Sequence, residues 1–338
     1  MPSPRRYLLF AEQAYAFEIL RPLQAAARAR GAGVAWFLNG VASDSLEADE
    51  HPLHSVRQVQ AFGPDAVFVP GNAVPLSFPG LKVQVFHGFG IEKKGHFRIR
   101  GMFDLYCTFG PLTTEPFMQL AQKHGWFRVV QTGWPKMDQL VDAAAGPPIP
   151  SAPAHILYAP TFSPSMTSAP ALADTIADIV AQRPWRWTVK FHPKMAPEFA
   201  APIRAITGAN FQIATEPALL PWLQQADVML TDTSSAAAEF MMLGKPVVAF
   251  RNRQPGPHLV NVDTPDALEQ ALADVLDGSD PSQPAREHYA QQMHPYRDGR
   301  SSERVLDAVE AMLRDGRRGL KAKPWSLLRR FKYWRTLP

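Results

Sequence analysis

The stretch Leu230–Phe250, LTDTSSAAAEFMMLGKPVVAF, decides the fold. It closes one apolar run that starts near Asp227, crosses an acid and a cluster of hydroxyls, enters an alanine-rich helical segment, and ends on a second apolar run, Pro246–Phe250. Short runs that are apolar at consecutive positions read as strands buried on both faces, as in parallel sheets. The stretch is therefore a strand–helix–strand unit, with Thr231, Asp232, Thr233, Ser234 and Ser235 where the first strand hands over to the helix. In open parallel sheets ligands sit beyond the C-terminal ends of the strands. A helix start also offers unpaired N–H groups to anions. A polar, anionic ligand is expected there, against the plainer reading of Ser and Thr as helix caps.

The same rhythm runs through the chain. YLLFA (7–11) is followed by an amphipathic segment, EILRPLQAAARARG (18–31). VAWFLNG, DAVFVPGN, KVQVFHG, DLYCTFG and FRVVQTG follow, each with a glycine where a tight βα turn belongs. DAAAGPPIPSAPAH (142–155) lacks periodicity and reads as a linker. ILYAPTF, RWTVKFHP, NFQIA, DVMLTDTSS and PVVAF then repeat the pattern, with helices expected over 171–182, 219–225, 235–243, 265–277 and 301–314. Alternation of this kind implies parallel strands with right-handed crossovers. The expected class is α/β: two doubly wound Rossmann-like domains facing a cleft. The expected division is 1–145 on the acceptor side, 146–298 on the nucleotide-donor side, and 299–338 as a C-terminal helix with a basic tail.

At 338 residues with 46% apolar content, the chain can bury two cores. Its net charge of +4 lacks the basic stripe of a nucleic-acid binder, so no nucleic-acid partner is expected. The single cysteine, Cys107, excludes an intramolecular disulfide and reads as an inert core residue. Tyr7–Phe10 is too short an apolar run for a signal core or a membrane span. A cytoplasmic protein is expected, peripheral on the inner face of the membrane. That placement rests on residues 320–338, where Trp325, Leu328, Phe331 and Trp334 alternate with Arg329, Arg330, Lys332 and Arg335. This is the pattern of an interfacial helix on anionic lipid.

Three groups with chemistry stand at strand ends. His87 and Gly88 open HGFGIEKKGHF, with Lys93 and Lys94 behind them. His192 lies between Lys190 and Lys194 in VKFHPK, and the third group is the hydroxyl cluster already described. No phosphate-binding G-x-x-x-x-G-K-[ST] loop, dinucleotide G-x-G-x-x-G or Asp-x-Asp motif is present. No cofactor and no metal is expected, so cationic side chains would have to neutralise a bound diphosphate.

These motifs, in order, resemble the CDP-glycerol glycerophosphotransferase family. The resembling segments are HGFGIEKKG, VVQTGWPKMD, ILYAPTF, VKFHP, DVMLTDTSSAAAEFMMLGKPVVAF and YRDGRSSERVLDAV, spanning about 82–309. Thr233 stands where the family often has Tyr, and Phe89 where it has a small or hydroxyl residue. The resemblance implies a GT-B-like plan. It implies transfer of glycerol phosphate, or a similar polyol phosphate, from a CDP-activated donor to a hydroxyl of a lipid-linked saccharide or polymer, with release of CMP. His87 would then be the general base. His192, Lys190, Thr233, Ser234 and Ser235 would bind the diphosphate, with Gly88, Lys93 and Lys94 on the acceptor side. Glu239 would hold ribose hydroxyls, and Arg304 would add a cation to the donor. The competing expectations are a nucleotide-sugar transferase or epimerase on the same plan, and a silent binding subunit of a polymer-synthesis complex.

Overall fold

The structure is a computed structural model describing residues 3–90, 95–140, 152–215 and 218–324. The chain forms two compact units, one of Met1–Ala143 with Gln292–Pro338 and the other of Ala144–Gln291.

The first unit holds β1 (Arg6–Ala11), β2 (Gly33–Leu38), β3 (Ala66–Val69), β4 (Leu81–Gln84), β5 (Leu105–Thr108) and β6 (Arg128–Gln131). The order is β2-β1-β3-β4-β5-β6, with every neighbouring pair parallel. Tyr7–Ala11 are buried throughout, the consequence of helices on both faces of a parallel sheet. The helices are α1 (Tyr15–Ala29), α2 (Val56–Phe62) and α3 (Pro111–His124). Ser55 caps α2 through the Gln58 amide, and left-handed Gly63 and Gly125 end α2 and α3. The chain runs outward from β1 to β2 and then returns to β3, so the topological switch point lies between β1 and β3.

The second unit holds β7 (His155–Tyr158), β8 (Arg186–Val189), β9 (Phe211–Ile213), β10 (Val228–Thr231), β11 (Val247–Phe250) and β12 (Val260–Val262). Its order is β12-β11-β10-β7-β8-β9, again all parallel. This is the Rossmann order, with its switch point between β7 and β10. The helices are α4 (Ala169–Gln182), α5 (Pro197–Arg204), α6 (Leu220–Gln225), α7 (Ala236–Met242), α8 (Leu268–Leu276) and α9 (Gln283–Met293). Ile156, Tyr158, Trp187, Val189, Leu230 and Val248 pack with Leu172 and Ile176 of α4 and Leu268 and Leu272 of α8. Each such side chain contributes about 1.5–3 kcal/mol on burial.

Helix α10 (Ser301–Asp315) belongs to the first unit, and two of the sequence motifs build its attachment. The Asp138 carboxylate accepts hydrogen bonds from the Ser301 and Ser302 amides, each 2.7 Å, at the start of α10. Gly133, at φ +79°, leaves room for Ser301 Oγ and His294 Nε2, which an added Cβ would meet at 2.5 and 2.9 Å. The buried His294 ring accepts from the Trp134 amide at 2.9 Å. Below α10, Arg317 donates to Asp104 at 2.5 Å, and Lys323 pairs with the other oxygen of Asp104 at 2.6 Å.

The expected strands are all present, together with β12, whose three residues are too few to register as an apolar run. Helix α1 starts three residues before the expected segment, and α2, α3, α5 and α9 fall outside the segments expected to be helical. His155 is the first residue of β7 rather than the end of a linker; residues 141–151 lie outside the described set. Cys107 is buried in β5 and burial pushes its thiol pKa far up, which makes it inert. No described helix is long and apolar enough to cross a membrane.

Candidate active site

In the first unit, His87 follows β4 at the C-terminal edge of the sheet. Phe86, immediately before it, has φ +58° although it is a buried aromatic residue. That left-handed backbone is held by packing against His96, Phe109 and Phe117, with centroids at 5.6, 5.4 and 5.2 Å. The turn delivers His87 to the loop after β3, where its Nδ1 lies 3.0 Å from the Pro70 carbonyl. A carbonyl can only accept, so Nδ1 carries the proton and Nε2 carries the lone pair in the neutral ring. Tyr15, the first residue of α1, stacks on the imidazole at 5.3 Å. Gly88 comes next in the chain, while Lys93 and Lys94 lie outside the described residues. Phe89 turns inward against Phe109, Trp134 and His294, which explains a large side chain in this loop.

In the second unit the hydroxyl cluster stands at the switch point. Asp232, wholly buried after β10, accepts from the Thr161 and Ser168 amides and from Ser168 Oγ, all at 2.9 Å. Burial raises its carboxyl pKa, and those hydrogen bonds oppose the rise. The acid thus ties the loop after β7 to the loop after β10 and orients the residues beyond it. Thr233 Oγ1 accepts from the Arg253 amide, and Ser234 Oγ accepts from the Ala236 amide. Asn252, following Arg251 at φ +48°, donates to the Asp232 carbonyl at 2.8 Å.

His192 follows β8 and stacks on Phe162 of the β7 loop at 4.3 Å. Its Nδ1 accepts from the Lys194 amide at 3.0 Å. Because an amide can only donate, Nε2 carries the proton in the neutral ring. In the neutral rings, Nε2 of His87 therefore carries a lone pair and Nε2 of His192 an N–H.

Lys190 stands between β8 and His192 and is half-buried. Ser235 precedes α7, and Glu239 is buried on that helix. These residues and His192 share the C-terminal edge of the second sheet. Arg304 lies instead in the first unit, on α10, where it forms a two-point ion pair with Asp298 and lies 3.9 Å over the Tyr296 ring. Asp232, Asn252 and Phe162 were not assigned roles from sequence; a buried Asp at a strand end was the one available signal. Among the described residues, no three His, Cys, Asp or Glu side chains are grouped to hold a metal ion.

The family model for CDP-glycerol:poly(glycerophosphate) glycerophosphotransferase matches residues 102–311, well over half the chain. The chain belongs to that family. It is accordingly an enzyme of the glycerophosphotransferase type. The match takes in His192, Thr233, Ser234, Ser235, Glu239 and Arg304, and starts beyond His87. None of the curated proteins matches the sequence.

Among solved structures, the wall teichoic acid polymerase TagF is similar at 14% identity and TM-score 0.67, covering 91% of this chain and 89% of that one. A TagF histidine-to-asparagine variant soaked with CDPG aligns at 15% identity and TM-score 0.66, with 93% and 90% coverage. A UDP-N-acetylglucosamine 2-epimerase aligns at 15% identity and TM-score 0.63, with 97% and 100% coverage. These likenesses show the GT-B-like α/β fold of this chain.

Proposed function

We propose that the family's transfer runs here from CDP-glycerol, or a close CDP-polyol, to an alcohol acceptor, with His87 as base and the second unit as donor site. The observation that carries this reading is the different tautomer that each imidazole's own Nδ1 partner sets. His87 Nε2 can take the proton of an attacking hydroxyl. His192 Nε2–H can donate to the phosphate that departs as CMP, together with Lys190 and the hydroxyls of Thr233, Ser234 and Ser235. Because phosphoryl transfer depends chiefly on positioning and charge neutralisation, a base and a set of donors suffice. Glu239 is assigned to the ribose. Arg304 is assigned to the donor as a cation that is already paired with Asp298.

In the same reading the acceptor is a hydroxyl on a lipid-linked saccharide or a growing polymer, reached from the inner membrane surface. Residues 320–338 would touch anionic lipid; most of that segment, 325–338, lies outside the described residues. Co-sedimentation with phosphatidylglycerol vesicles, with and without those residues, tests the contact.

The decisive measurement is CMP release from CDP-glycerol. His87→Asn should lower turnover by about 10²–10⁴-fold while calorimetry still detects donor binding. A rate near wild type would remove His87 from the chemistry.

A further inference from the structure

Beside His87, the β1/β3 switch point carries side chains that donor binding and proton removal leave without a role. Glu12 follows β1 directly. Its Oε1 accepts from Asn39 Nδ2, beyond β2, at 3.3 Å. Its Oε2 lies 3.2 Å from the place a Cβ would take on Gly71, in the turn whose Pro70 carbonyl holds His87. Tyr15 stacks on His87 and is 39% exposed; it and Met118 are the large apolar side chains left exposed among the described residues. A carboxylate fixed by an amide, an exposed aromatic ring and a basic imidazole nitrogen are thus gathered at one sheet edge, where open α/β sheets take their ligands. A carboxylate accepts strongly from hydroxyls, and an aromatic face covers the C–H side of a polyol.

We propose that Glu12, Asn39 and Tyr15 form an acceptor subsite for a vicinal diol, Glu12 holding one hydroxyl while the adjacent one is presented to His87. The proposal rests on the transfer reading and deepens it. In the step itself, the presented hydroxyl oxygen bonds to the β-phosphorus of the donor and its proton passes to His87 Nε2. The bond from that phosphorus to the bridging oxygen breaks, and CMP leaves with the electron pair. Asn39 is a positioning residue that keeps the Glu12 carboxylate turned toward the Pro70–Gly71 turn.

The vicinal diol could be a glycerol phosphate terminus or a saccharide ring. The test therefore follows CMP release by the full chain from CDP-glycerol with three probes: glycerol 3-phosphate, 1,3-propanediol phosphate, which lacks the neighbouring hydroxyl, and methyl β-D-glucopyranoside. Wild type should use a diol probe at least about tenfold better, in kcat/KM, than propanediol phosphate. The diol probe that wins identifies the source. Glu12→Gln should reduce that preference to under about threefold by raising the acceptor KM, with the KM for CDP-glycerol unchanged. Tyr15→Phe should stay near wild type and Tyr15→Ala should raise the acceptor KM. Rescue by Phe marks the ring, not the hydroxyl, as the contact. An unaltered preference in Glu12→Gln, no preference in wild type, or no acceleration by any probe while CDP-glycerol still binds would overturn the subsite and leave the transfer reading standing. Absence of both CDP-glycerol binding and cleavage would overturn both.

Discussion

At the scale of single residues, Phe86 shows how this site is held. A bulky residue in the left-handed region costs about 1–2 kcal/mol, a strain that glycine would not carry. Its ring, packed among His96, Phe109 and Phe117, supplies the compensating contacts. Phe86→Ala loses the contacts and keeps the strain; Phe86→Gly loses the contacts and relieves it. In urea titrations the glycine variant should therefore be the more stable of the two by about 1 kcal/mol, and the reverse order would mean the backbone is unstrained. His192 yields a second prediction. In the proposed donor site, His192→Ala removes an N–H donor to the phosphate and should weaken CDP-glycerol binding by about 10–100-fold in calorimetry, whereas His192→Gln, which keeps an N–H, should recover part of that loss. The positions of both histidines were legible in sequence because each directly follows an apolar run. Their proton states were not, since these depend on the Pro70 carbonyl and the Lys194 amide, which only the folded loops bring to the rings.

At the scale of elements, the motif around Gly133–Asp138 is structural. Asp138 closes the first turn of α10 across 163 residues of sequence, satisfying two amides that the helix cannot pair internally. Asp138→Ala should lower stability by about 1–2 kcal/mol, read as a shifted urea midpoint at constant slope, with Asp138→Asn intermediate. Strands such as β1 and β10 could be read from sequence because burial on both faces leaves an unbroken apolar run. Strand β12 could not, because Val260 and Val262 flank a polar Asn261 in only three residues. The pairing of VVQTGWPKMD with YRDGRSSERVLDAV was likewise hidden: each is visible as a pattern, but neither pattern encodes its distant partner.

At the scale of the whole molecule, the first unit rests on a buried histidine. Burial, the largest influence, lowers the His294 pKa to about 4 from an ordinary value near 6.5. The folded unit then binds fewer protons than the unfolded chain between those values, so stability is complete above about pH 6.5 and falls as the pH drops toward 4. The loss amounts to about 3 kcal/mol across the window. Thermal or urea midpoints should track it. In His294→Gln the slope over that range should flatten, and an unchanged slope would assign the acid sensitivity elsewhere. The chain leaves the first unit after Ala143 and re-enters it at Gln292, so the Asp104 ion pairs with Arg317 and Lys323 form only after the second unit has been made. During synthesis the second Rossmann sheet can mature while the first is still waiting for its closing helix. A ribosome stalled so that residue 291 has just cleared the exit tunnel should therefore display a protease-resistant middle and a protease-sensitive start, an inversion of the usual amino-to-carboxyl order of maturation.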